Sequence, residues 1–204
     1  MAIRMSRPAV ITLASRHLGV TRGAILEAAV DMVQEGAVAD ITMRAVAARA
    51  GMSERTVFRH FASREELLAG LIEEVSARFD LPTDPGTIEQ LLAYPAALYG
   101  RFEATSALTR AALRSELFDR FRSTNAQRRW QAIGTIIDRA AKGAPVRARR
   151  IAAANIRYHL SASAWNYYRF YFGFPLDEAV ECADTAIVQA LQGVGALPRK
   201  ERGR

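Results

Sequence analysis

Arg55, Thr56 and Arg59 lie within the run Glu54–His60 at spacings of three and four, so a helix would project them from one side. A guanidinium offers parallel N–H donors to the two acceptors of a guanine edge, and a threonine hydroxyl can contact either kind of base edge. Thr42, Arg44, Ser53, Phe58, His60 and Arg64 surround this trio with donors and an aromatic suited to sugar and phosphate. These residue types point to holding a duplex rather than to making or breaking bonds. The three histidines, His17, His60 and His159, are far apart in the chain, and Cys182 is the one cysteine. There is no Glu-x-x-His helix pair, so neither a zinc nor a di-iron site is expected. There is also no glycine-rich phosphate loop and no Gly-x-Ser-x-Gly elbow. The chain is therefore read as not an enzyme, with no catalytic residue, metal or cofactor. Two rivals stay open at this point: a helical carrier whose head no longer reads DNA, and a helical-bundle enzyme.

The elements that must position these residues occupy Thr42 to Phe61. Val46, Ala47 and Ala50 make one narrow apolar stripe after Thr42, which is a candidate N-cap. Gly51 supplies the positive φ with which a chain leaves a helix. Met52 would tuck inward, and Ser53 can cap the next helix. Val57 and Phe61 form the inward side of that second helix. Ala47 must be small because the second helix crosses close over the first. The pattern is a helix-turn-helix, and a helix too short to bury its whole surface leaves one polar face of the width of the major groove.

The run resembles the DNA-binding domain of TetR-family transcriptional regulators. The resemblance is carried by Thr42, Ala47, Ala50, Gly51, Met52, Ser53, Thr56, Val57, the Phe58–Phe61 sequence F-R-H-F and the Ser63–Leu68 sequence S-R-E-E-L-L, and it covers about residues 21–80. Phe58 stands where the family usually has Tyr, which removes a phenol that could donate to phosphate. The resemblance implies an all-α chain: an N-terminal three-helix helix-turn-helix domain, then a helical bundle that forms a homodimer through its last two helices. It implies a palindromic double-stranded DNA operator, repression, and release by a small apolar or amphipathic effector held among the middle helices. The residues placed to line such a space are Phe102, Leu113, Phe118, Trp130, Ile133, Asn155, Tyr158, His159 and Trp165. The large apolar residues among them are more often plain core, and Tyr158 and Trp165 more often anchor a core or interface, whereas Asn155 and His159, four apart on one face, read as readily as a satisfied polar pair as ligand contacts.

Charge supports the head by its placement rather than by its sum. The chain has 204 residues, a formal charge of +7 and half its residues apolar. All of that excess falls after residue 80, whereas residues 1–80 balance. Within 41–64, however, Arg44, Arg49, Arg55, Arg59 and Arg64 face Glu54 alone. The absence of a long apolar run and the single cysteine fit a cytoplasmic protein.

In order along the chain, residues 1–20, with Arg4, Arg7, Arg16 and Pro8, read as a flexible N-terminal arm. Thr21 is taken as the first cap, residues 21–81 as the DNA-binding domain, and the Leu81–Gly86 breaker as its end. Residues 86–195 form the ligand-binding and dimerisation domain. Its helices are read as Thr87–Phe102, Ser106–Leu117, Asp119–Ala141, one long segment Val146–Phe172, and Leu176–Val194. The aromatic run Trp165–Phe174 and the small residues Ala179, Ala183, Ala186 and Ala190 suggest a four-helix contact between two chains.

Overall fold

Helices account for the regular structure of the computed structural model, which describes residues 13–37, 40–114 and 117–198; for 13–17 and 117–126 only the backbone is described. No strand occurs among the described residues. The helices are α1 (Leu13–Gln34), α2 (Met43–Arg49), α3 (Glu54–His60), α4 (Arg64–Phe79), α5 (Ile88–Ala104), α6 (Ser106–Leu113), α7 (Leu117–Ala140), α8 (Val146–His159), α9 (Ala162–Asn166) with a π-helical turn (Tyr167–Tyr171), and α10 (Leu176–Gly193). The chain divides into two compact units, up to Glu74 and from Val75. The division falls inside α4, ahead of the breaker at 81–86.

In the first unit the core is built from Ile25, Leu26, Ala29, Val30 and Val33 of α1, Val46 and Ala47 of α2, Val57 and Phe61 around α3, and Leu67, Leu68 and Leu71 of α4. Thr21 is not a helix start: α1 already runs from Leu13, so Thr21 sits in its interior. The expected arm therefore includes helical residues, and its part before Leu13 lies outside the described residues. At the far end of α1 the backbone turns through Gly36 at φ 83°. Every later helix start in this unit has a local device. The Thr42 side chain accepts from Ala45 N at 3.1 Å. Ser53 Oγ accepts from Thr56 N at 3.2 Å. Ser63 Oγ accepts from Glu66 N at 3.2 Å, while Glu66 Oε2 reaches back to Ala62 N at 2.7 Å, a reciprocal cap that satisfies two orphan donors. Gly70 is needed for packing. A Cβ there would lie 3.0 Å from the Phe61 ring and 3.1 Å from Arg22 Nη2. The Arg22 guanidinium sits 4.8 Å over that same ring.

The second unit packs α5, α7, α8 and α10 around Leu98, Tyr99, Phe102, Ile133, Ile137, Ile156, Trp165 and Ile187. Ala152 and Ala153 on α8 and Ala179 and Ala183 on α10 are buried in the same core, where small side chains let helices approach closely. The Ala179 and Ala183 positions of the α10 stripe thus face their own chain. The segment read as one helix from Val146 to Phe172 is broken after His159. Ser161 takes the N-cap of α9, accepting from Ala164 N at 3.2 Å and donating to Tyr158 O at 2.6 Å. Further on, the backbone widens: Phe172 N donates to Tyr167 O and Phe174 N to Tyr168 O, both at 3.0 Å, before Gly173 turns it at φ 76°.

The strap between α4 and α5 is tied down by charge. Asp80 pairs with Arg101. Tyr94 donates its hydroxyl to Pro82 O at 2.9 Å. Asp84 accepts from Arg128 Nε at 2.7 Å and from Arg129 Nε at 2.9 Å. Arg129 is only 4% exposed, and its Nη1 also reaches Leu160 O at 3.4 Å, at the end of α8. Burial pushes the Asp84 carboxyl up, but the two guanidinium bonds outweigh that and hold it below its ordinary range. Burial lifts the Tyr94 phenol to about 12.

Candidate nucleic-acid interface

The face of α3 is set by its buried side. Val57 is fully buried, which rotates Arg55, Phe58 and Arg59 outward; Phe58 is 49% exposed. Among the described residues neither Arg55 nor Arg59 has a hydrogen-bond or ion-pair partner. Thr56 is half-buried beside them, its hydroxyl 2.9 Å from that of Ser53. The two hydroxyls fix each other's rotamers at the start of the helix, and each keeps lone pairs or a proton for an outside group. The turn that presents this helix passes through Gly51 at φ 64°, and Met52 N closes it on Ala47 O at 2.9 Å.

The other expected contacts divide into two groups. Thr42 is exposed and caps α2, so its oxygen is in use and its hydroxyl proton remains available. The side chain of Arg44 is 87% exposed and stands 3.9 Å from Glu54, a pair too open to hold it. Arg64 turns inward instead. Its Nε donates to Ile41 O at 2.7 Å and braces the approach to α2 against the start of α4. His60 is half-buried, and its Nε2 is shielded without a partner. Desolvation first, then the neighbouring charges of Arg59 and Arg22, hold its imidazole below the ordinary range, so at neutral pH it is uncharged.

The five arginines of 41–64 therefore do not act as one patch. Arg49 leaves it, donating to Glu35 just past the end of α1 at 2.5 and 3.0 Å and standing 3.7 Å from Asp31 on α1. Arg44, Arg55 and Arg59 are what the surface keeps. Neither the Arg49 pairing nor the Arg22 stack on Phe61 is visible in spacing alone, because their partners are distant in the chain. The Glu35-Arg49 bond alone spans 14 residues.

Residues 25–71 match the family model for bacterial regulatory proteins of the tetR family. Two short helices crossing at a glycine turn, with the matched run covering both, decide the fold. The chain has a TetR-like fold. Solved structures agree over both units. A TetR-like transcriptional regulator from Rhodococcus sp. RHA1 superposes with TM-score 0.64 at 18% identity, over 86% of this chain and 97% of that one. SmeT in its triclosan complex gives TM-score 0.63 at 18% identity, over 91% and 98%. NalD of Pseudomonas aeruginosa, described as the secondary repressor of a multidrug efflux pump, gives 0.57 at 17%, over 87% and 98%. No curated protein matches in sequence. In this TetR-like chain no helix among the described residues is long and apolar enough to cross a membrane. No group of three or more His, Cys, Asp or Glu able to hold a metal occurs among the described residues.

The residues proposed to line an effector space separate in the second unit. Phe102, Ile133 and Trp165 are buried together in the core, with Trp130 packed against it and Leu113 half-buried. Phe102 and Trp165 lie 5.8 Å apart, ring to ring. Asn155 and Tyr158 do not join them; both are exposed, Tyr158 by 58%. His159 Nδ1 lies 3.0 Å from the Tyr168 hydroxyl, while Asn155 on the same helix is exposed. Burial lowers the His159 imidazole below its ordinary range. The side chain of Phe118 lies outside the described ones.

Proposed function

We propose that the chain is a sequence-specific DNA-binding transcriptional regulator that works as a homodimer and represses until a small effector enters its C-terminal unit. The carrying observation is that Arg55 and Arg59 face outward, with no partner among the described residues, on a helix whose opposite side is clamped by Val57. Arg55, Thr56 and Arg59 enter the major groove, while Thr42, Arg44, Ser53 and Phe58 set the register on the backbone. His60 and Arg64 support this face from within. Support for the dimer comes from Tyr158 and the aromatic turn, where Tyr171 is 71% exposed and Tyr167 and Phe172 also lie open. A second copy covering that surface through the last two helices gives two reading heads related by two-fold symmetry, and hence a palindromic operator. The effector then biases the dimer between head spacings that fit the operator and spacings that do not. The protein is placed in the cytoplasm, with its DNA.

Selection from a random DNA pool by the full-length protein is the direct test, expected to return an inverted repeat. Arg55→Ala should weaken binding to the selected site by about 1–3 kcal/mol and relax the preference at one base pair of each half-site. Equal loss on selected and random DNA would remove Arg55 from base reading. A pool that returns no common sequence would overturn the regulator itself and leave a ligand carrier.

A further inference from the structure

Arginines withdrawn from water in the second unit have oxygen partners. Arg129 has Asp84, Arg149 has Asp138 at 3.2 Å, Arg157 has Leu160 O, and Arg169 has Glu103. Arg110 on α6 is the exception among the described residues. It is half-buried, it has no acid or carbonyl partner, and its Nε is shielded from solvent with no hydrogen bond. Its guanidinium lies 4.0 Å over the Phe170 ring. Phe170 meets Trp165 edge-on at 5.4 Å, and Trp165 meets Phe102. A ladder of three aromatic rings thus runs from the core to one unspent cation.

Glu103 does not answer that cation. Its carboxylate accepts from Trp165 Nε1 at 3.1 Å and from Arg169 Nε and Nη2 at 2.9 and 2.6 Å. The Arg169 bonds hold it below its ordinary pKa range, so it is ionised and matched. The remaining Arg169 nitrogen, Nη1, is spent on Phe174 O. Two cations therefore share the Phe170 ring, one neutralised and one not. The ring covers a face of the Arg110 guanidinium, but the N–H donors lie in its plane and none is taken by a protein oxygen among the described residues, so the Nη edge can meet two coplanar oxygens. A carboxylate has that geometry, and the Phe170 ring, 41% exposed, offers an open apolar face beside it.

We propose that Arg110, stacked on Phe170, anchors the carboxylate of a small apolar or aromatic acid. This rests on the effector reading above and gives the effector a chemical class. Calorimetry and tryptophan fluorescence on the full-length protein test it with benzoate, 1-naphthoate and decanoate, each beside its neutral amide. At least one acid should bind about tenfold or more tightly than its amide, a preference of the size a charged fork contributes. Arg110→Gln should erase that preference. Arg110→Lys, which keeps the charge without the fork, should retain part of it and serves if the glutamine variant does not fold. Equal binding of acid and amide, a preference that survives Arg110→Gln, or no binding of any probe would overturn the site. Binding of DNA selected by the wild-type protein, measured without probe, separates the two readings. Selective DNA binding with no acid preference sinks the anion site alone; an acid preference without selective DNA binding sinks the regulator alone.

Discussion

The two units handle arginine in opposite ways. The N-terminal unit balances its charge in sum yet leaves Arg44, Arg55 and Arg59 turned to water around one short helix. The C-terminal unit holds the whole formal excess, yet it draws Arg129 and Arg169 inward onto Asp84 and Glu103. A positive total is thus a poor guide to where a polyanion would dock. What matters is whether a cation is already answered by its own chain. The same side chain serves as glue in one place and as an unspent donor in the other.

The comparison can be broken first at its most buried point. Arg129→Ala should cost the C-terminal unit about 3–5 kcal/mol in urea unfolding, since it strips a shielded partner from Asp84 and frees the strap. A loss no larger than that of a surface substitution would show that the strap is held by packing instead. Gly70→Ala should lower the stability of the N-terminal unit by about 1–3 kcal/mol, because the new methyl meets the Phe61 ring and Arg22. Its effect on DNA binding should exceed its effect on the C-terminal unit, read by hydrogen exchange in each.

Acid sharpens the contrast further. The Asp84 and Glu103 carboxyls titrate below their ordinary range when folded. Their contribution is therefore complete above the ordinary carboxylate pKa and disappears as pH falls through the lowered folded values. The C-terminal unit should lose stability below about pH 4–5, and Glu103→Gln should flatten that acid limb, as followed by thermal melts across pH. A limb left unchanged would mean that Glu103 is not ionised against Arg169. At the small end, Arg44→Ala should change stability by less than about 0.5 kcal/mol while weakening binding to any DNA. A stability change of the Arg129 kind would show that the Glu54 pair holds the head together.

How much of this was legible in the sequence follows the range of the forces involved. The caps at Thr42, Ser53 and Ser63 and the turn at Gly51 were readable because each acts on a neighbour three or four residues away. So was the outward set Arg55, Thr56 and Arg59, since Val57 fixes the rotation of α3. Arg49 counts as part of the surface patch in the sequence because its partners, Asp31 on α1 and Glu35 in the turn after it, are distant in the chain. Arg64 was aimed at phosphate for the same reason, its acceptor being a carbonyl ahead of α2. The α8–α9 break hid inside a continuous helical pattern. Ser161 carries no conspicuous signal there until its hydroxyl is seen bonded on both sides. In the C-terminal unit, burial separated residues that periodicity had grouped, keeping Trp165 and Phe102 inside and leaving Asn155 and Tyr158 out.

Phe61 closes α3 while lying between the Arg22 guanidinium and the bare backbone of Gly70. That sandwich gives the head a pivot with almost no slack. Any rolling of the first helix or sliding of the fourth must move the aromatic plate between them, and through it the pitch at which the neighbouring arginines arrive. Selectivity for one stretch of duplex over another would then depend on a clearance smaller than a single methyl group, at a place that never touches the bases.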